Sequence, residues 1–302
     1  MKLLRLFSLL AFLSLSTLIF TACEEDTDDP VTSDKPIPSA PTNLRATSIS
    51  ATEVLLKWDK SASHDSSWFA GYELTVTGGN PMTPIKIGKF TDNHIVSGLQ
   101  EGVVYTFTLK SVNSDNKTST GSTSVTWSPA SRFETDDIRM YVFESQNGSG
   151  LTIYGENNKP ENLKASEKTK WHLGLDNRTS GALYFGPASQ IDIGTGTPTD
   201  KVEIADTYWE TNTLDNIFET AALNTLNFAE RRFDLLELDN GQTGLAFVVR
   251  ILRQGQTNYN YAKVLIERGS GGFLQGSGND RYIKMKISYQ KVAGVPYAKT
   301  SN

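Results

Sequence analysis

The chain has 302 residues, a net charge of −5, one cysteine and three histidines. With no basic tract anywhere, the acidic balance excludes nucleic acid as a partner on electrostatic grounds. A single cysteine excludes an internal disulfide framework, so folded parts must stand on their hydrophobic cores alone.

Met1–Arg5 carries Lys2 and Arg5, and Leu6–Phe20 is apolar apart from serines and a threonine. The run then meets Cys23 and the acids Glu24, Glu25 and Asp26. A membrane-spanning helix needs about 20 apolar residues and usually basic flanks. This pattern instead predicts a secretory signal over residues 1–22. "FTAC" resembles the lipobox of bacterial lipoproteins, which implies that Cys23 becomes the first mature residue and carries diacylglycerol on its thiol. Several acyl chains on one residue give stable anchoring in a membrane. The alternative is a plain secretory signal with Cys23 incidental. "CEEDTDD" in turn resembles the acidic export signal of Bacteroidota outer-membrane lipoproteins. It implies a lipid-anchored chain facing the cell exterior, against the alternative of a solvated acidic tether. Cleavage at Cys23 would remove Lys2 and Arg5 and make the chain more acidic still.

Residues 23–37 form a tether. Pro30 and Pro36 stand among acids and small polar residues, a composition that cannot bury a core and behaves as a semi-extended spacer.

From 38 to 133 the pattern changes to period-two alternation in short segments split by Gly, Asn and Ser turns. Val54, Leu56 and Trp58 share one strand face; Tyr72, Leu74 and Val76 share another; Tyr105, Phe107 and Leu109 share a third. The Pro-rich entry, Trp58 on the second strand, and Leu99 six residues before Tyr105 resemble a fibronectin type III domain. That resemblance implies a β-sandwich with Tyr105 as a tyrosine corner, its hydroxyl returned to the backbone of the preceding turn. His64 and His94 stand in polar, loop-like contexts and, with no third ligand, predict solvated loop residues. The segment reads as a spacer that holds the rest of the chain away from the membrane.

Residues 135–302 read as a second, mostly antiparallel β domain with one helical excursion. "RMYVFE", "GLTIYG", "KWHLGLD", "GALYF", "GLAFVVRIL", "NYAKVLIE" and "RYIKMKISYQ" are strand-like. Leu214, Ile217, Phe218, Ala221, Ala222 and Leu226 follow helical spacing instead, with Asp215 and Glu219 early and Arg231 and Arg232 late, as the macrodipole favours. "RGSGGFLQGSG" lacks the Gly-Lys pair of a phosphate loop and joins two strands, so it predicts a mobile hairpin loop.

"KWHLGLD", "GALYFGPASQIDIG", "YAKVLIE" and "YIKMKISYQ", in that order, resemble the HmuY-like lipoproteins of Bacteroidota. The resemblance implies a ligand-capturing β domain, haem as one such ligand, axial His or Met side chains, and an outer-membrane receptor as partner. The chain departs from it, because no His or Met lies between His172 and Met285. Alternation places His172 on the solvent side of its strand, opposite Trp171, Leu173 and Leu175, and Met285 in the core with Ile283, Ile287 and Tyr289.

Outside that resemblance, Tyr208 and Trp209 fall in a polar segment expected to be exposed, and Tyr259, Tyr261 and Lys263 on the polar face of a strand. Such aromatic groups suit stacking on sugar rings or a porphyrin; the alternative is that they cover the second face of a sandwich. No G-x-S-x-G, H-E-x-x-H or cysteine nucleophile is present, and the chain reads as non-enzymatic. Haem-carrier-like capture is the first reading of function, with glycan capture, and an adhesin or structural display module without a small ligand, as the alternatives.

Overall fold

The computed structural model describes residues 34–215 and 226–295. Most of the segment expected to be helical, 216–225, lies outside them. The chain is almost entirely antiparallel β, and its described helical segments are short 3-10 turns at Glu156–Asn158, Ala165–Lys170 and Ala188–Gln190.

The first seven strands are β1 (Thr42–Ser50), β2 (Glu53–Asp59), β3 (Phe69–Thr77), β4 (Ile85–Gly88), β5 (Asn93–Val96), β6 (Tyr105–Asn113) and β7 (Thr123–Trp127). They form a three-stranded sheet β1-β2-β5 and a four-stranded sheet β4-β3-β6-β7. Alternation sends the apolar residues of each strand inward. Trp58, from one sheet, meets Tyr72, from the other, edge to face at 5.3 Å, and Phe69 meets Tyr72 at 5.4 Å. All three rings are buried. The Gln100 amide donates to the Tyr105 hydroxyl at 2.9 Å, while Leu99 is buried beneath the same turn. This is the tyrosine-corner contact expected from the spacing.

The remaining strands are β8 (Ser131–Tyr141), β9 (Gly150–Thr152), β10 (Glu161–Leu163), β11 (Leu173–Asp176), β12 (Tyr184–Pro187), β13 (Lys201–Glu210), β14 (Phe228–Ala229), β15 (Phe233–Asp234), β16 (Gly244–Leu252), β17 (Asn260–Glu267) and β18 (Tyr282–Tyr289). They build a six-stranded sheet β14-β13-β16-β17-β18-β8 and a five-stranded sheet β10-β9-β11-β12-β15. β16 is central and reads as a nearly continuous apolar run because both its faces are covered. Phe247 on β16 meets Phe185 on β12 at 5.3 Å, joining the two sheets. Met140 and Met285 are fully buried, Met285 in the core as the alternation predicted.

Trp171 fills a smaller cluster with Leu163, Ala188, Ile191 and Ile193. Gly150 is required there: a Cβ at that position would lie 1.9 Å from the Trp171 ring.

Three residues separate β7 from β8, and the connection is held by buried polar contacts. The Trp127 indole donates to Ser48 Oγ at 2.9 Å, and that hydroxyl donates to the Ser128 carbonyl at 2.9 Å. Gln290, fully buried just after β18, donates to the Pro129 carbonyl at 3.0 Å. Ser131, the first residue of β8, donates through its amide and hydroxyl to the Glu101 carboxylate at 3.0 and 3.2 Å.

Two expectations are corrected. His172 is not on a solvent face: it is 3% exposed, because the end of β9 engages its Nδ1 and Asp200, just before β13, engages its Nε2. Lys263 is not on a polar outer face either. It is 2% exposed, its ammonium donating to the Leu214 carbonyl at 3.4 Å and lying 5.6 Å from the Trp127 ring. The alternation was right about which side of β17 it occupies, but that side is covered by the end of β7. The glycine-rich loop does join two strands, β17 and β18, and is anchored by fully buried Phe273 and by Gln275, which donates to the Glu267 carbonyl at 2.8 Å.

Candidate functional site

The four aromatic residues singled out by composition divide into two groups on the six-stranded sheet. Tyr208 and Trp209 lie on β13 and are half-buried against the core, not exposed. A polar sequence neighbourhood suggested exposure, but these consecutive residues point to opposite faces of β13, and each packs against the core. Tyr208 packs near Phe233 at 6.3 Å and Phe247 at 6.0 Å. Tyr259 and Tyr261 gather around Arg250, whose guanidinium lies 4.3 Å from the Tyr259 ring and 4.6 Å from that of Phe228. Phe228 in turn meets Tyr261 at 6.4 Å. Arg250 also bonds Glu203 at 2.6 Å, which Lys201 reaches at 2.8 Å. Register keeps the groups apart, since Tyr208 pairs with Phe247 and Tyr261 with Arg250, three residues along β16.

A different place forms a cleft of about 410 Å³. Its lining includes Tyr154, Glu156, Glu161, Glu167, Lys170, His172, Asp200 and Arg253, and none of the four aromatic candidates. One wall is the turn after β9, where the Gly155 amide donates to the Lys159 carbonyl at 2.9 Å and Asn157 and Asn158 adopt positive φ. Asn is among the few residues with a side chain that tolerate that region, and the "ENNK" turn thereby sets Glu156 at the rim. Tyr289 donates to the Asn158 carbonyl and ties the turn down.

At the floor, the Ile153 amide donates to His172 Nδ1 at 2.8 Å, and His172 Nε2 lies 2.9 Å from Asp200 Oδ2. An amide can only donate, so Nδ1 is the acceptor and Nε2 carries the proton given to Asp200. The other Asp200 oxygen accepts the Gln254 amide at 2.8 Å. Burial pushes the Asp200 carboxyl upward, but His172 and Gln254 as donors outweigh it and hold the group below the ordinary carboxylate range. The opposite wall is Arg253, directly after β16, whose guanidinium lies 5.0 Å from the Tyr154 ring. Tyr154 donates to the Gln290 carbonyl at 3.1 Å, and burial raises its phenol far above the ordinary value.

The residues do not fit the axial pair that the haem-carrier resemblance implies. Both nitrogens of His172 are committed, Met140 and Met285 are enclosed in the sheet core, and His64 and His94 belong to the first sandwich. Among the described residues no group of three or more His, Cys, Asp or Glu side chains is placed to hold a metal ion.

Sequence reasoning missed the cleft because its parts come from four separate segments and share no periodicity. Only the "ENNK" turn left a local signal.

The first seven strands define a β-sandwich module. Residues 39–127 match the model of the fibronectin type III domain and form such a domain. Solved structures similar to this chain include one described as a myokine structure (18% identity, 30% of this chain and 98% of that one, TM-score 0.25). Others are the third fibronectin III domain of human KIAA0343 protein (15%, 34% and 90%, 0.28) and the FN5 domain of Drosophila Lar (19%, 31% and 98%, 0.24). No curated protein matches the chain.

Proposed function

We propose that this is a non-enzymatic, lipid-anchored surface protein of the Bacteroidota outer membrane in which a fibronectin type III spacer carries a HmuY-like, ligand-capturing β domain. The ligand class favoured is a glycan. The observation that carries this is the polar cleft beside His172, whose lining is mostly charged and hydroxyl-bearing and suits a ligand rich in hydroxyl groups. A porphyrin asks for an apolar slot and axial donors, and the committed nitrogens of His172 weigh against it. Adhesion or display without a small ligand is the second reading. It is supported by the fibronectin type III domain, a type of module that is typically non-catalytic and serves binding or structural roles.

Anchoring rests on "FTAC" and the acids behind it. A fatty-acid probe should label the wild-type chain and not Cys23→Ala, and protease added to intact cells should degrade the displayed protein. Capture is tested with residues 24–302 by titration against ferric haem and by pull-down on insoluble and immobilised polysaccharides. Retention on at least one glycan with a flat haem titration is expected. A saturable Soret band without glycan retention would reverse the preference, and silence in both would leave adhesion as the function.

A further inference from the structure

Arg253 lines the cleft yet makes no hydrogen bond or ion pair through its guanidinium among the described residues; it lies over the Tyr154 ring and acts on the Asp200 carboxylate only through space. A half-buried arginine held over an aromatic ring keeps its planar fork of donors unspent. Lys170, Glu167 and Asp200, also in the lining, are already engaged. Lys170 pairs with Glu167 at 3.3 Å. Asp200 gives one oxygen to His172 and the other to the Gln254 amide, which fixes the turn that presents Arg253. Two further groups face the same space from the opposite wall. Glu156 and Glu161 are both exposed, with one Glu161 oxygen 3.3 Å from the Glu156 amide that donates to it.

This arrangement is selective in two ways. A planar carboxylate matches the guanidinium fork with two parallel N–H···O bonds, which a neutral hydroxyl cannot do. The paired glutamates repel a ligand with several anionic groups, while accepting hydroxyl protons well. Resting on the glycan reading above, we infer that the cleft recognises a carboxylated sugar, with Arg253 taking the carboxylate and Glu156 and Glu161 taking ring hydroxyls. His172 and Asp200 are positioning residues, acting through the Gln254 amide on the turn that holds Arg253.

The test uses residues 24–302 and calorimetric titration with neutral oligosaccharides that carry a single terminal galacturonate or glucuronate, each as free acid and as methyl ester, with sulfated and neutral oligosaccharides alongside. The free acid of at least one sugar should bind roughly tenfold or more tightly than its ester, the worth of a charge-assisted hydrogen bond. Arg253→Gln should abolish that preference, Arg253→Lys should retain part of it, and added salt should weaken it. The melting temperature of Arg253→Gln should stay near wild type, because the side chain holds no hydrogen bond among the described residues. Equal binding of acid and ester, tighter binding of the sulfated sugar, or an acid preference that survives Arg253→Gln would overturn the inference and leave glycan capture standing. No binding to any oligosaccharide would overturn both.

Discussion

His172 Nε2 stands 2.9 Å from Asp200 Oδ2 while His172 Nδ1 accepts the Ile153 amide, so one ring joins β9 to the start of β13. Asp200 then passes the constraint to the turn after β16 through the Gln254 amide. Three segments far apart in sequence are thereby held by a single pair, His172 buried and Asp200 half-buried.

Asp200→Asn tests that pair. The folded-state carboxyl titrates below its unfolded value, so its contribution is complete above an unfolded pKa of about 3.9 and is lost as pH falls through the folded value. The variant should lose about 1–3 kcal/mol at pH 7, the range for disrupting a buried hydrogen bond to a charged group. It should also show a shallower fall in stability below about pH 4. Urea unfolding of both proteins across that range reads the two effects, and parallel acid profiles would sink the assignment.

Gln290→Leu tests the connection between β7 and β8. The side chain is enclosed, and its amide donates to the Pro129 carbonyl and, at 3.3 Å, to Ser128 Oγ. Leucine fills similar space but removes the amide donor, which leaves the Pro129 carbonyl only the Ser128 hydroxyl at 3.3 Å, at a cost of about 1–3 kcal/mol. Because the contact joins the first sandwich to the second pair of sheets, wild type should unfold in one calorimetric transition and the variant should broaden or split it. An unchanged single transition would mean that the coupling runs elsewhere.

Trp58→Ala removes a ring that is 2% exposed and packed edge-to-face on Tyr72. Truncating a core aromatic of this size costs about 3–5 kcal/mol. Denaturant unfolding of residues 24–302 measures it, and a loss under 1 kcal/mol would contradict the packing described.

Trp58 also shows what was legible in the sequence. Its alternation with Val54 and Leu56, and the spacing of Leu99 and Tyr105, are local patterns, and each side chain lands where the pattern puts it. His172 and Lys263 obey the same alternation, yet both are buried. Period two tells which face a residue occupies, not whether another element covers that face; the end of β9 with Asp200, and the end of β7, do so here. The cleft was illegible for a related reason. Arg253, Asp200, His172 and Glu156 are brought together by sheet topology, which no local window of sequence encodes.

Lys263 supplies the last prediction. Its ammonium is enclosed, and burial, with Arg132 nearby, lowers its pKa to about 7, although Asp215 opposes the shift. In the unfolded chain a lysine titrates near 10.4. Between about pH 7 and pH 10 the unfolded state therefore binds more protons than the folded one, and stability should rise with pH across that window. Lys263→Met keeps a long unbranched side chain and removes the titration. Relative to this variant, wild type should gain stability steadily from pH 7 to pH 9.5 and show no such gain between pH 5.5 and pH 6.5. Chemical unfolding at matched ionic strength makes the comparison, with the difference between the two proteins cancelling the titration of all other groups. A difference that stays constant from pH 5.5 to pH 9.5 would show that the Lys263 ammonium remains charged in the fold, held by stronger partners than burial can overcome.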